Sequence, residues 1–144
     1  MTERTVDDVT VYADGGARGN PGPAAIGAVV LDTTETPPVR LAAISEAIGI
    51  ATNNVAEYRA LIAGLEAALA YRPRVLHVRA DSLLVVNQLR GLWRVKHAGL
   101  RPLYEEARAL LQCFEQFDLE HVRRELNVDA DTLVNAALDA QIGR

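Results

Sequence analysis

Lysine is almost absent from this chain: of its 15 basic residues only Lys96 is not an arginine, and 19 acidic residues leave a formal net charge of −4. Non-specific affinity for nucleic acid comes mainly from neutralising phosphates. The average charge therefore argues against a general nucleic-acid binder, although a local arginine patch stays open, since guanidinium suits bidentate phosphate contact. The single cysteine, Cys113, excludes an internal disulfide and a thiolate zinc site. Set in L-L-Q-C-F-E-Q-F, it is expected to be buried core filler. Three scattered histidines, His77, His97 and His121, give no zinc spacing, and His77, alternating within a strand, is expected to be partly buried. No apolar run approaches a membrane span, and the opening M-T-E-R-T-V-D-D-V has no apolar leader. The expectation is a soluble, cytoplasmic monomer with no membrane partner. No repeat or low-complexity linker divides the chain, and 144 residues at 49% apolar content suffice for one domain with a real core.

What is present has a clear order. Asp8 to Asp14 alternates Val9, Val11 and Ala13 against Thr10, Tyr12 and Asp14, which predicts a strand ending on a carboxylate. The Gly- and Pro-rich stretch D-G-G-A-R-G-N-P-G-P then reads as a sharp turn. Ala25 to Asp32 and Arg40 to Gly49 read as strands joined by a T-T-E-T-P-P loop, so the first three strands form an antiparallel meander. Tyr58, Leu61, Ile62, Leu65, Ala68 and Leu69 follow helical spacing that stops before Pro73. Val75 to Asp81 returns to strand, Ser82 to Arg90 predicts a short helix and Pro102 to Phe117 a longer one. Asp118 to Arg124 predicts a fifth strand and Ala130 to Ile142 a closing helix. The pattern is α/β: three antiparallel strands, then two parallel ones, in a five-stranded mixed sheet covered by helices.

Four acids fall at element ends: Asp14, Glu57, Asp81 and, in the closing helix, Asp131 or its neighbour Asp129. Each has an ordinary structural reading. Asn54 with Glu57 resembles a capping box, Asp81 before Ser82 a helix cap, and Asp14 before glycine a turn starter. Jointly they say more. Adjacent central strands bring Asp14 and Asp81 to one edge, and helices starting nearby can add the others. Carboxylates gathered at one spot repel each other unless cations compensate. Hard oxygen donors suit Mg²⁺ or Mn²⁺, and two such ions roughly 4 Å apart support phosphodiester cleavage. The acids therefore point to a two-metal nuclease. Dinucleotide, P-loop and EF-hand patterns all fail at required positions, the last at Thr132 and Leu138.

The segments D14-G-G-A-R-G-N-P-G-P23, T52-N-N-V-A-E57, A80-D-S-L-L-V-V-N-Q88 and N127-V-D-A-D-T-L133 together resemble the type 1 ribonuclease H family, over roughly Val9 to Ala140. The resemblance implies the ribonuclease H-like fold and takes Asp14, Glu57, Asp81 and Asp131 as the catalytic, metal-binding acids. It implies an endonuclease that cuts the RNA strand of RNA:DNA hybrids, leaving 3′-hydroxyl and 5′-phosphate ends, with two Mg²⁺ ions for which Mn²⁺ substitutes. The alternative is a hybrid-binding domain of the same fold that has lost the chemistry; a nuclease for DNA junctions is a weaker third reading. Gly15, Gly16, Arg18, Asn20, Asn53, Asn54 and Gln88 are implied on the substrate side, where a minor groove displays 2′-hydroxyls that distinguish RNA.

Trp93, with Arg94 and Lys96, is either a packing anchor or, as the resemblance implies, the lining of a DNA-strand groove. One branch of the family carries a Lys-dense helix and loop here, whereas this chain reads R94-V-K-H-A-G-L-R101. Many relatives also place a His before the last catalytic Asp, but R123-R-E-L-N-V-D-A-D131 contains none. With His121 expected inside the fifth strand, Arg123 or Arg124 is the expected phosphate contact, with no histidine limb in the pH dependence. The chain is read as one catalytic domain over 1–144, compatible with being the N-terminal part of a longer protein, since some relatives carry a C-terminal phosphatase-like domain.

Overall fold

The alternation through Val9, Val11 and Ala13 does form a strand. In the computed structural model, which describes residues 5–142, it is β1, Asp8–Ala17. β2, Gly22–Asp32, and β3, Val39–Ala51, complete the antiparallel meander. There follow α1, Asn53–Leu69, β4, Val75–Ala80, α2, Leu83–Leu89, α3, Arg101–Leu111, β5, Gln116–His121, and α4, Val128–Ile142. Short 3₁₀ turns at Ala98–Leu100 and Arg124–Leu126 lead into α3 and α4. Among the described residues the strands make one mixed sheet in the order β3-β2-β1-β4-β5, with β4 and β5 parallel to β1. No helix of the described residues is long and apolar enough to cross a membrane.

Both faces of the sheet are covered over its centre. Val9, Val11, Ala13, Ala28 and Val30 pack against Tyr58, Leu61 and Leu65 of α1, while Ala25 meets Val134, Ala137 and Leu138 of α4 on the other side. Gly27 sets the second contact distance, because a Cβ there would lie 2.3 Å from the Ala130 carbonyl oxygen and 2.9 Å from the Val134 amide. Ser45 Oγ donates to Leu133 O at 2.6 Å and ties α4 to β3 as well. The parallel register pairs Ala13 with Ala80 and Ala80 with His121. The residues that follow these three, Asp14, Asp81 and Val122, therefore come to the same end of the sheet.

Several boundaries differ from expectation for identifiable reasons. β1 does not end at Asp14: Gly15 and Gly16 pair with Ile26 and Ala25, and the chain reverses only at Arg18–Pro21. The helix predicted to Phe117 stops at Leu111, and β5 begins at Gln116 and ends at His121, not Arg124. Phe114 continues the helical spacing of Leu110 and Leu111 but does so from a turn, its ring buried in the core, so periodicity alone misplaces the boundary. Cys113 lies in that turn and is exposed, contrary to the core role expected of it. His77 is partly buried as expected, bridging Asp118 at 2.6 Å and Asp8 at 3.2 Å.

The tight approach at Gly27 gives a direct expectation. Gly27→Ala must push α4 off the sheet and should destabilise the protein by about 1–3 kcal/mol. A urea melt should show a lower midpoint at unchanged slope. Gly16→Ala, whose added Cβ would meet nothing closer than 3.9 Å, should cost clearly less.

Candidate active site

Asp14 departs from the apolar pattern of β1 and is only 5% exposed. What lies against it depends on the next residue. A Cβ on Gly15 would sit 2.2 Å from the Ala56 carbonyl oxygen, so only glycine lets α1 come this close to β1. At that distance the Gly15 amide donates to Glu57 Oε1 at 2.6 Å. The glycine thus serves the helix approach and not a turn. α1 is capped by Thr52, whose Oγ accepts from the Val55 amide at 3.2 Å. Asn54 is therefore not the cap, and Glu57 lies beyond the first turn with its carboxylate turned to β1. The hairpin turn is fastened to the same helix: Asn53 Oδ1 accepts from the Ala17 amide at 2.8 Å, and Asn20 Oδ1 from the Asn53 amide at 2.9 Å.

Asp81 follows β4 just as Asp14 follows Ala13 in the paired strand, and Ser82, not Asp81, caps α2 by accepting from Val85 N–H. One carboxylate oxygen each from Asp14, Glu57 and Asp81 lie within 4.8 Å of one another. Asp131, in the first turn of α4, stands near enough to Asp14 to push its carboxyl up. Its Oδ2 accepts from Asn135 Nδ2 at 3.3 Å, and Arg124 Nη2 stands 4.0 Å from its Oδ1. Asp129, which spacing alone left open, instead faces Arg40 at 3.8 Å on the surface.

Gathering these groups perturbs them. Burial, then the charges of Glu57 and Asp81, hold the Asp14 carboxyl far above the usual carboxylate range. Burial also raises Glu57; hydrogen bonds from Asp14, the Gly15 amide and Ser82 pull it part of the way back, while Asp81 pushes it up. Oxygen-only donors that repel one another in a partly dry site fit a hard divalent cation, which would relieve the repulsion.

The acids open into a cleft of about 720 Å³ also lined by Gly15, Gly16, Arg18, Asn53, Asn54, Arg123 and Arg124. Arg18 is held by Asp139 at 2.6 Å. His121 lines the same cleft, because β5 ends on it; the expectation that it points along a continuing strand is corrected. Asn20, Asn54, Gln88 and Lys96 share a neighbouring groove, and Gln88 and Trp93 a third. Gln88 is buried, with Oε1 accepting from Tyr58 OH at 2.5 Å and Nε2 donating to Arg94 O at 3.4 Å, so it holds the chain just after Trp93 in place. Two residues near the acids escaped the sequence reading. Asn127, 1% exposed, donates Nδ2 to Ala13 O at 2.9 Å while its own carbonyl accepts from the Asp131 amide at 3.1 Å. It therefore joins the strand carrying Asp14 to the helix carrying Asp131. Asn135 orients Asp131 from the next turn. An asparagine just before a helix and one four residues after an acid were the available signals.

Residues 12–137 match the family described as reverse transcriptase-like. The ribonuclease HI of Halobacterium salinarum is 45% identical over 131 residues, 91% of this chain and 64% of that protein. Its crystal structure superposes with a TM-score of 0.86 at 44% identity, covering 92% of this chain and 98% of that one. This chain belongs to the type 1 ribonuclease H family. The Mycobacterium tuberculosis bifunctional protein Rv2228c is 51% identical over 132 residues, 92% of this chain but 36% of that protein. The structure of its N-terminal ribonuclease H domain gives a TM-score of 0.87 at 49% identity, covering 92% of this chain and 99% of that one. LC11-RNase H1, solved in complex with an RNA/DNA hybrid, gives 0.85 at 38% identity, covering 93% and 99%. The chain thus spans about a third of the mycobacterial relative and under two thirds of the halobacterial one.

The ribonuclease H carboxylates predict a particular pH dependence of stability. Because Asp14 and Glu57 are raised, the folded state binds their protons more tightly than the unfolded state does. Metal-free stability should therefore fall as pH rises from the ordinary carboxylate range through neutrality. Asp14→Asn should flatten that fall and stabilise the metal-free protein by about 1–2 kcal/mol near pH 8. Thermal melts in chelator across pH 5 to 8 check both; a wild-type melt that rises over that range would contradict the electrostatic reading.

Proposed function

We propose that this chain is an endonuclease that hydrolyses the RNA strand of RNA:DNA hybrids with two divalent cations, Mg²⁺ or in its place Mn²⁺, leaving 3′-hydroxyl and 5′-phosphate ends. The observation that carries the reading is the convergence of Asp14, Glu57 and Asp81 within 4.8 Å, with Asp131 beside them, at the mouth of an open cleft. These four residues would hold the cations. Bound there, a pair of hard cations supplies Lewis-acid stabilisation at the attacking and leaving oxygens of a phosphodiester.

The remaining chemistry belongs to the cleft walls. Asn20 and Asn53 spend their Oδ1 atoms on internal hydrogen bonds, so the group each can offer a minor groove is its NH₂ donor, suited to a 2′-hydroxyl. Asn54 adds an exposed amide beside them. Arg123 and Arg124 are permanent cations matched to the scissile or released phosphate, and they stabilise charge without moving protons. His121 adds an imidazole to the cleft wall, able to donate or accept a hydrogen bond. The hybrid-bound LC11-RNase H1 supports the substrate class.

Strand-labelled hybrid tests the reading. The RNA strand should be cut only when Mg²⁺ or Mn²⁺ is present, a DNA duplex should stay intact, and Asp14→Asn should lower the rate by about 10³-fold or more, beyond the about 10–100-fold typical of outer-shell changes. Undiminished cutting by Asp14→Asn would remove the proposal, and hybrid binding without cutting would favour the non-catalytic alternative. In the same assay Arg124→Ala should slow turnover more than His121→Ala does.

A further inference from the structure

β5 is the least buried strand of the sheet. Leu119 alone among its residues is partly covered, and Phe117 is 40% exposed. It is also an edge strand, paired to β4 on one side only. Yet the chain that leaves β5 supplies His121, Arg123 and Arg124 to the cleft wall. A strand that buries so little apolar surface gains little from the hydrophobic effect, so the wall needs another anchor.

That anchor lies on the sheet face opposite α1. Leu76 and Val78 of β4 turn into the core, so His77 and Arg79 turn to the other face, where α4 lies over β1, β2 and β3. Cross-strand pairing sets Thr10, His77 and Asp118 in one row and Tyr12, Arg79 and Glu120 in the next. His77 Nδ1 stands 2.6 Å from Asp118 Oδ2, and its Nε2 stands 3.2 Å from Asp8 Oδ2. Arg79 Nη1 donates to Asp118 Oδ1 at 2.5 Å, while its Nη2 stands 3.3 Å from Glu120. Asp8 also accepts from Thr33 Oγ1, which accepts in turn from Thr10 Oγ1. Beside them Arg74 holds Asp7 at 3.2 Å. His77 is 27% exposed and Arg79 18%, so water screens these bonds less than those of an ordinary surface pair.

A neutral imidazole donates from one nitrogen only, whereas both nitrogens of His77 face a carboxylate. The bridge is complete only when the ring is charged. Partial burial opposes that charge, but the hydrogen bonds and charges of Asp118 and Asp8 outweigh it and hold the imidazole above its ordinary value. Burial likewise opposes ionisation of Asp118, and Arg79 and His77 outweigh it.

We propose that His77 is a positioning residue: by bridging Asp8 of β1 and Asp118 of β5 it clamps the edge strand and so fixes the cleft wall of His121, Arg123 and Arg124. Its functional part rests on reading that wall as the phosphate-facing side of a hybrid-cleaving cleft. Asp118 lies three residues before His121, about 10 Å at about 3.3 Å per residue. The ladder then continues past the end of the strand, where the Val122 amide donates to Ala80 O at 2.9 Å, so a displacement of β5 is carried to Arg123 and Arg124. Because folding raises the affinity of His77 for its proton, the clamp is fully present below the ordinary histidine range and is lost as pH rises through the folded-state value.

Hydrogen–deuterium exchange of the full chain reads the clamp without any activity. At about pH 6 the amides of residues 117–122 should be protected about 5- to 10-fold less in His77→Gln and in Asp118→Asn than in the wild type, while those of β2 change less than about twofold. Between about pH 6 and about pH 8.5 the wild type should lose this protection relative to β2, and His77→Gln should show no such loss. Turnover of strand-labelled hybrid then links the clamp to the wall. His77→Gln should lower kcat about 3-fold in the wild-type background but less than about 1.5-fold on top of Arg124→Ala, because the group it positions is already gone. If His77→Gln fails to fold, Asp118→Asn decides in the same measurements. Unchanged protection of β5, an equal loss in β2, or equal kcat effects in both backgrounds would overturn the clamp. A wild-type chain that shows the exchange effects but cuts no hybrid would instead overturn the functional reading beneath it.

Discussion

The hydrogen bond from the Gly15 amide to Glu57, 2.6 Å long, is the contact on which the cleft depends. It forms only because Gly15 has no side chain to hold α1 away from β1. Once the helix is seated there, Glu57 lies against Asp14, and the parallel pairing of β1 with β4 supplies Asp81 from the next strand. Repulsion among these acids opposes the arrangement, so it must be held by packing elsewhere. The apolar contacts of α1 on one face and of α4 on the other, both close enough to exclude a methyl group at the crossing points, do that holding.

The fourth acid is placed by a different device. Asp131 sits on a helix that touches the sheet from the opposite face, and Asn127 couples the two by bonding to Ala13 with its side chain and to Asp131 with its backbone. Asn20 and Asn53 fasten the hairpin turn to α1 in the same manner. Short amide side chains thus serve as struts, while the longer Arg123, Arg124 and His121 line the cleft wall.

Much of this was legible in the residues because it broke a pattern. A carboxylate within or just after an apolar strand, as Asp14 and Asp81 are, stands out against period-two alternation, and the change to helical spacing at Tyr58 is equally plain. Where the physics is tertiary, the same reading fails. Phe114 keeps helical spacing although the helix has ended, which displaced both α3 and β5 and concealed that His121 reaches the cleft. Cys113 has apolar neighbours in sequence but faces solvent. Gly15 looks like turn chemistry, yet its role is set by Ala56, far along the chain. Asn127 carries no periodic signal, since its role depends on a carbonyl more than a hundred residues away.

The central claim is that four acids from four separate elements form one divalent-cation site facing a hybrid. Crystals of the chain bound to an RNA:DNA hybrid and soaked in Mn²⁺ test it most directly, because anomalous scattering locates the metal independently of any activity. The account predicts two peaks enclosed by Asp14, Glu57, Asp81 and Asp131, adjacent to a phosphate of the RNA strand. Hybrid seated on the cleft with no peak among these carboxylates, or with manganese bound elsewhere, would contradict it.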